Sequence, residues 1–268
     1  MESILVYTVH KAASTFLNLL LRQITRRYGI AHYSQNDETY HDAIQSQGWS
    51  RFIDRHQANP ACFGPIRGGH SKELFPENLS DYSIVLHLRD PRDVLTSMYY
   101  SYAYSHCVQP GRFEPASGQR EKWRDEGVDR FVLRSAAGVQ RIYEHLCEHL
   151  LGRQNVNVVR YEDMVTDYEQ WLPGFLGSFR HLPIPHRKKR HLILPQSVRQ
   201  FRMRQQLYQR HKDAFSVASE DKLNHKRKVT PGDYLDKLQP ETVDYLNTKL
   251  ASLLATLGYH ATIGKSAA

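Results

Sequence analysis

Residues 5–24 read LVYTVHKAASTFLNLLLRQI: an apolar run, a short loop of small residues holding one lysine, then an amphipathic segment. Ile4 to Val9 is apolar and β-branched, the pattern of a buried parallel strand. From Ser14 to Tyr28 the apolar positions Leu17, Leu20, Leu21, Ile24 and Tyr28 keep helical spacing, and Gly29 is a natural stop. Ser14 or Thr15 is placed to cap the helix start. Strand, tight loop and helix make the layout of an anion site, because a helix start presents free N–H groups and partial positive charge. Lys11 adds a point charge, and Ser14 and Thr15 add hydroxyls. The Walker A spacing is absent: no glycine precedes Lys11, and neither Ser nor Thr follows it. A capped helix with a lysine nearby by chance explains the stretch almost as well.

The rest of the chain repeats the alternation. Ala61–Ile66 and Tyr82–Leu88 read as strands, and Asp90-Pro91 as a cap with proline at the first helical position of a helix through Val94, Leu95, Met98 and Tyr102. Residues 30–80 are otherwise polar with few periods, apart from a helix over Trp49–His56. Residues 108–127, rich in Gly, Pro and charge, read as an exposed loop. Val128–Leu151 reads as a long helix, Val156–Tyr161 as a third strand, Tyr168–Phe179 as a helix and Pro240–Leu257 as a final helix closed by Gly258. This implies an α/β fold of three layers, a central, mostly parallel sheet flanked by helices. No repeat or linker divides the chain, so a single domain over 1–268 is expected.

At 268 residues, 40% hydrophobic and 24% charged, the composition is that of an ordinary globular protein. No apolar run approaches the roughly 20 residues of a membrane span, and the start runs into Ile4-Leu5-Val6-Tyr7 without a basic n-region or a small-residue cleavage site, so a secretory signal is not expected. Cys62, Cys107 and Cys147 form neither a disulfide framework nor a zinc pattern, which suits a reducing, cytoplasmic setting. The net charge of +8 is uneven: residues 186–228 hold 13 Lys and Arg against three acids, a local +10, leaving −2 for the rest. A solvated basic loop explains this on charge alone; an anion-binding surface is the functional alternative.

Two further stretches carry chemistry. In LHLRDPRDVLTSMYYSYAYSH, 86–106, Arg89 sits at the carboxyl end of a strand, where ligands of parallel sheets bind. Its guanidinium suits a phosphate, though a pair with Asp90 or Asp93 is the bland alternative. Ser97 lies about two turns into the following helix. In HKRKVTPGDY, 225–234, a basic cluster precedes a Pro-Gly turn and an aromatic residue.

Together these stretches resemble the sulfotransferases that use 3′-phosphoadenosine 5′-phosphosulfate, PAPS. Lys11-Ala12-Ala13-Ser14-Thr15-Phe16 is similar to that family's K-x-G-T-T-W loop, which grips the 5′-phosphosulfate. Arg89 to Ser97 matches its strand-ending Arg and D/N-P-x-D-V-x-x-S helix start, which hold the 3′-phosphate. Tyr161-Glu162-Asp163-Met164 is identical to its Y-E-D-M, and Arg227 to Tyr234 keeps the spacing of its R-K-G-x-x-G-D-W. The resemblance implies a P-loop-NTPase-like fold, with PAPS held by residues 11–16, Arg89, Ser97, Tyr161, Arg227 and Lys228. It makes residues 186–234 a basic lid over the nucleotide. It implies in-line transfer of the sulfuryl group to a hydroxyl or amine, giving adenosine 3′,5′-bisphosphate. Lys11 then contacts the bridging or leaving oxygen, and no metal is required.

Departures from the pattern are Ala13 and Val229 for glycines, Phe16 for an adenine-stacking Trp and Tyr234 for Trp. An L-residue with positive φ is strained, so a negative φ is expected at Ala13. For the base that takes the acceptor proton, His70 in IRGGHSKELFP is the first choice; His106, His41 and Asp37 are the fallbacks, and Arg67 can neutralise sulfuryl oxygens. The expected acceptor is a small molecule, lipid or sugar, held by the variable segments 30–60, 100–127 and 186–225. A homodimer is compatible with the reading. The alternatives are a nucleotide-dependent small-molecule kinase, which lacks its Walker A, and a non-enzymatic binder of anions or nucleic acid through 186–228, without a recognised nucleic-acid motif.

Overall fold

The computed structural model describes residues 2–69, 72–105, 116–184, 195–215 and 230–261. Contacts group the chain into two compact units: Met1–Leu88 with His145–Ala214, and Arg89–Glu144 with Phe215–Ala268.

The first unit holds a five-stranded sheet built from β1 Ser3–Thr8, β2 Ala31–Tyr33, β3 Ala61–Arg67, β4 Tyr82–Leu88 and β5 Val156–Arg160. The order is β2-β3-β1-β4-β5 and every pairing is parallel. The chain leaves β1 toward one edge and later resumes on the other side of it, so the topological switch falls at the carboxyl end of β1, where open α/β sheets bind ligands. β1 is buried along its whole length, because it is the central strand and both of its faces are covered.

Helix α1, Ser14–Tyr28, buries Leu17, Leu20, Leu21, Ile24 and Tyr28 and ends at Gly29 in the left-handed region, with φ 69°. Tyr28 stacks on Phe179 at 6.0 Å between ring centroids. Gly64, at φ 142°, lets β3 approach β1: a Cβ there would lie 2.7 Å from the carbonyl oxygen of Val6. The β1–β3 register shifts between Leu5 and Tyr7, opposite this close approach.

Several boundaries differ from the sequence-based expectation. Residues 30–80 hold β2 and a long helix α2, Glu38–His56, bent at Gly48 with φ 77°. Its first half has a weak apolar period, with only Ile44 buried before the bend, so the sequence offers little to detect. The expected 108–127 loop is helical from Gln119 onward: helix α4 spans Gln119–Leu150 with a break at Gly127. Good helix formers such as Arg120, Glu121 and Lys122 outweigh the charge density.

Short helix α5, Tyr161–Thr166, follows β5, and helix α6 covers Tyr168–Gly177. Helix α7, Gln196–His211, lies inside the segment read as a basic lid. In the second unit, helix α3 spans Pro91–Tyr100, continues as a π-turn over Ser101–Ser105, and is joined by α8 Tyr234–Lys237. The expected final helix is two helices, α9 Pro240–Lys249 and α10 Ala251–Leu257, because Leu250 has φ −102° and ψ 9°.

Candidate active site

The loop after β1 departs from expectation in a way that bears on function. Ala13 has φ 56° and ψ 36°, and Lys11 has φ 62°. The expected negative φ at Ala13 is therefore wrong: two L-residues of one loop occupy the left-handed region, each at a cost of roughly 1–3 kcal/mol. The cause is the tightness of the turn. Val9 and Ala12 are buried, and the chain must reverse into α1 at Ser14, within five residues of Val9.

The cap also differs. The N-cap residue is Ala13, and no side chain caps the helix. Ser14 and Thr15, expected as caps, are instead the first two helical residues, and the Ala13 carbonyl accepts from Leu17 N at 3.0 Å. A left-handed residue followed by helical ones turns successive N–H groups toward one point, an anion-binding concavity. The donors at the start of α1 therefore fit a phosphate or phosphosulfate.

The carboxyl edge of the sheet gathers other residues from the sequence reading. Thr8 pairs with Arg67 on one side and with His87 on the other. Arg67 donates to Asn36 Oδ1 at 3.2 Å. Thr8 Oγ1 lies 3.3 Å from His87 Nδ1, both residues buried. Asp37 and His41 follow β2 and serve local structure: the Asp37 carboxylate caps α2 by accepting from Thr39 N at 3.1 Å, and His41 Nδ1 donates to Gln35 O at 2.9 Å.

Tyr161 opens α5 at the end of β5, buried edge-on to His87 with 6.5 Å between ring centroids. Phe16 is half-buried, edge-on to His211 at 5.3 Å and to Tyr168 at 6.0 Å. His211 contacts Gln23 Oε1 through Nε2 at 3.0 Å. Burial, with Arg210 alongside, holds its imidazole below the usual histidine value.

In the second unit, the stretch 89–97 is held by side chains. Asp90 caps α3 by accepting from Arg92 N at 2.9 Å, with Pro91 at the first helical position. The same carboxylate takes both arms of the Arg92 guanidinium, at 3.0 and 2.7 Å. Arg92 also donates to Asn247 Oδ1 at 2.6 Å and His260 O at 3.0 Å, and lies over the Tyr234 ring at 4.5 Å. It is 2% exposed, so this network is core.

Asp93 accepts from Gly232 N at 2.8 Å and Tyr234 N at 3.1 Å, which ties the Pro-Gly turn to the start of α3. Burial raises its carboxyl pKa, and the Arg89 guanidinium, 4.0 Å away, opposes the rise. Of the two acids weighed as partners for Arg89, the structure thus records Asp93, while Asp90 is engaged by Arg92. The Tyr143 hydroxyl donates to the Arg89 carbonyl. Ser97 is half-exposed on α3.

His70, His106, Arg227 and Lys228 lie outside the described residues. The sequence reading gave Arg92 and Tyr143 no role, and weighed Asp93 only as a partner for Arg89. Asp93 meets the Gly232–Tyr234 turn across 139 to 141 positions, a distance over which a single sequence carries no pairing signal. Arg92 lies three residues from Arg89, has the same formal chemistry and is buried like it, at 2% against 5% exposed; its bonds to Asp90, Asn247 and His260 mark it as structural.

The family model for the sulfotransferase domain matches residues 1–258. The chain belongs to the sulfotransferase family. The structure of mouse sulfotransferase SULT7A1 complexed with PAP aligns with a TM-score of 0.52 at 13% identity, covering 94% of this chain and 84% of that one. Retinol dehydratase in complex with androsterone and PAP aligns with a TM-score of 0.47 at 12% identity, over 94% and 80% of the two chains. No curated protein matches the chain by sequence.

Proposed function

We propose that this chain transfers a sulfuryl group from PAPS to a hydroxyl or amine of a small molecule, lipid or sugar, leaving adenosine 3′,5′-bisphosphate. The observation that carries the reading is the loop after β1, where Lys11 and Ala13 hold left-handed backbone at the start of an uncapped helix. Strain of this kind is kept where a ligand repays it. The mouse neighbour is complexed with PAP, the nucleotide that a PAPS-dependent transfer leaves behind.

PAPS supplies an electrophilic sulfur and a phosphate leaving group. Lys11 and the N–H groups at the start of α1 hold the 5′-phosphosulfate and neutralise charge on the leaving oxygen. Arg89 and Ser97 hold the 3′-phosphate, and the half-buried Phe16 presents an aromatic ring for the adenine. Arg67, paired beside Thr8 at the sheet edge, serves the sulfuryl oxygens. His70 takes the acceptor proton, and Arg227 and Lys228 close over the nucleotide; these three assignments rest on the motif resemblance. Cysteine usage suits a cytoplasmic setting, and a homodimer is compatible with this reading.

The test is thermal unfolding with added nucleotide and no Mg²⁺. Adenosine 3′,5′-bisphosphate raises Tm, and ATP does so far less. Equal shifts overturn the reading in favour of a kinase. Labelled PAPS offered to phenols, alcohols, lipids and sugars then identifies the acceptor class.

A further inference from the structure

The last turn of α4 reads His145-Leu146-Cys147-Glu148-His149. Positions i, i+3 and i+4 of a helix share one face, so His145, Glu148 and His149 project together. Each offers one metal-ligating atom, and the three atoms lie within 4.8 Å of one another. Among the described residues no other group of three His, Cys, Asp or Glu does so.

Three features prepare these groups for an ion. First, His149 Nδ1 lies 2.9 Å from the His145 carbonyl oxygen. A carbonyl only accepts, so the proton sits on Nδ1 and Nε2 keeps its lone pair. That is the tautomer and the backbone anchor of a ligating imidazole. Second, Nε2 of His145 is buried and has no hydrogen-bond partner; an ion is one explanation for such an atom. Third, Phe75 backs both rings, stacked on His149 at 4.5 Å and 7°, and tilted against His145 at 5.2 Å and 54°. The imidazole centroids are 4.4 Å apart. Apolar packing thus orients the two rings, while Glu148 stands exposed to water, where an ion enters.

We propose that His145, Glu148 and His149 bind a divalent first-row transition ion, with Zn²⁺ the best fit. Two imidazoles and a carboxylate are borderline ligands suited to Zn²⁺, and water completes the tetrahedron. Bonds of about 2.0–2.1 Å bring ligand atoms to about 3.4 Å from one another, which rotation of the exposed Glu148 and small ring shifts achieve. The ion clasps the last turn of α4 and, through Phe75, the segment that follows β3. Its role is structural and separate from sulfuryl transfer.

The experiment adds Zn²⁺ to the metal-free full-length chain and follows calorimetric titration and thermal unfolding. One ion binds per chain and Tm rises, whereas Mg²⁺ has no effect. His145→Asn and His149→Asn each weaken Zn²⁺ at least tenfold, and Glu148→Gln several-fold. His145→Asn and His149→Asn each also remove ring contacts with Phe75, so a lower metal-free Tm is expected of both; the exposed Glu148→Gln carries the test without that loss. Co²⁺ in place of Zn²⁺ gives visible absorption that His145→Asn removes. The chain holds 15 histidines, so Zn²⁺ binding unchanged in His145→Asn and Glu148→Gln places the ion elsewhere and overturns the proposal. Absence of binding, with variants that only lower the metal-free Tm, shows an aromatic packing cluster and overturns it too.

Discussion

Two turns of this molecule lead from a parallel strand into a helix, and they are built in opposite ways. The turn after β1 has no side-chain cap, two left-handed L-residues and half-exposed Lys11 and Ser14. The turn after β4 has an aspartate cap, proline at the first helical position and a buried arginine that doubly engages that cap. Helix donors that no side chain caps are available to a ligand. Donors met by Asp90 are committed to the fold. Within the second turn the same division recurs between Arg89, the candidate phosphate ligand, and Arg92, which anchors the unit.

Substitutions in the two turns separate these roles. Arg92→Ala leaves the buried Asp90 without its partner and removes bonds to Asn247 and His260, so stability falls by about 3–5 kcal/mol, read by urea unfolding. If stability holds, the network is not the anchor described. Lys11→Ala keeps the Cβ and the left-handed backbone, so stability stays within about 0.5 kcal/mol. Losing one charge-assisted contact costs about 1.5–3 kcal/mol of donor binding, roughly a 10- to 150-fold rise in Kd for adenosine 3′,5′-bisphosphate by titration. An unchanged Kd would remove the ligand role of this loop.

A smaller effect concerns pH and the packing behind the first turn. Burial is the main reason that His211, against Phe16, and His32, bonded to Gly64 O at 2.8 Å, sit below the ordinary value of 6.5. The unfolded chain therefore takes up protons first as pH falls. Stability is unaffected by these groups above 6.5 and declines as pH falls through that value toward the folded ones. Tm measured from neutral to mildly acid pH falls, and His211→Gln flattens the fall; a profile identical to the parent's would exclude His211. The smallest effect is at Ala13. Glycine relieves about 1–2 kcal/mol of left-handed strain and adds about 0.4–1 kcal/mol of unfolded-state entropy. Ala13→Gly is therefore neutral to about 1 kcal/mol stabilising, while Ala13→Val, β-branched at positive φ, is destabilising. A destabilised Ala13→Gly would show that the methyl group packs more than the backbone strains.

Elements with a strong period are legible in the sequence. Tyr82–Leu88 and Ser14–Tyr28 occur with the expected bounds, because β4 is an apolar run buried on both faces and α1 has a clear apolar stripe ended by glycine. Helix α7 and the first half of α2 were not legible. Their apolar residues are few, and contacts made elsewhere settle their conformation, such as Ile184 N donating to the Gln196 side chain at 3.1 Å. Of the candidate site, Lys11 and Arg89 were readable from strand ends and motif spacing. The engagement of Asp90 by Arg92 was not, since Arg89 and Arg92 both lie within reach of an aspartate along the chain.

Local periodicity and motif order suffice to place this chain among parallel α/β sulfotransferases, because hydrophobic spacing and turn chemistry are written in adjacent residues. Three matters wait for the folded chain. They are the positive φ of Ala13, the bonds to Asn247 and His260 that make Arg92 an anchor, and the stacking of Phe75 on His149 across 74 positions of sequence. Each arises where distant segments crowd one another, and packing, rather than local preference, then sets the conformation and the chemistry.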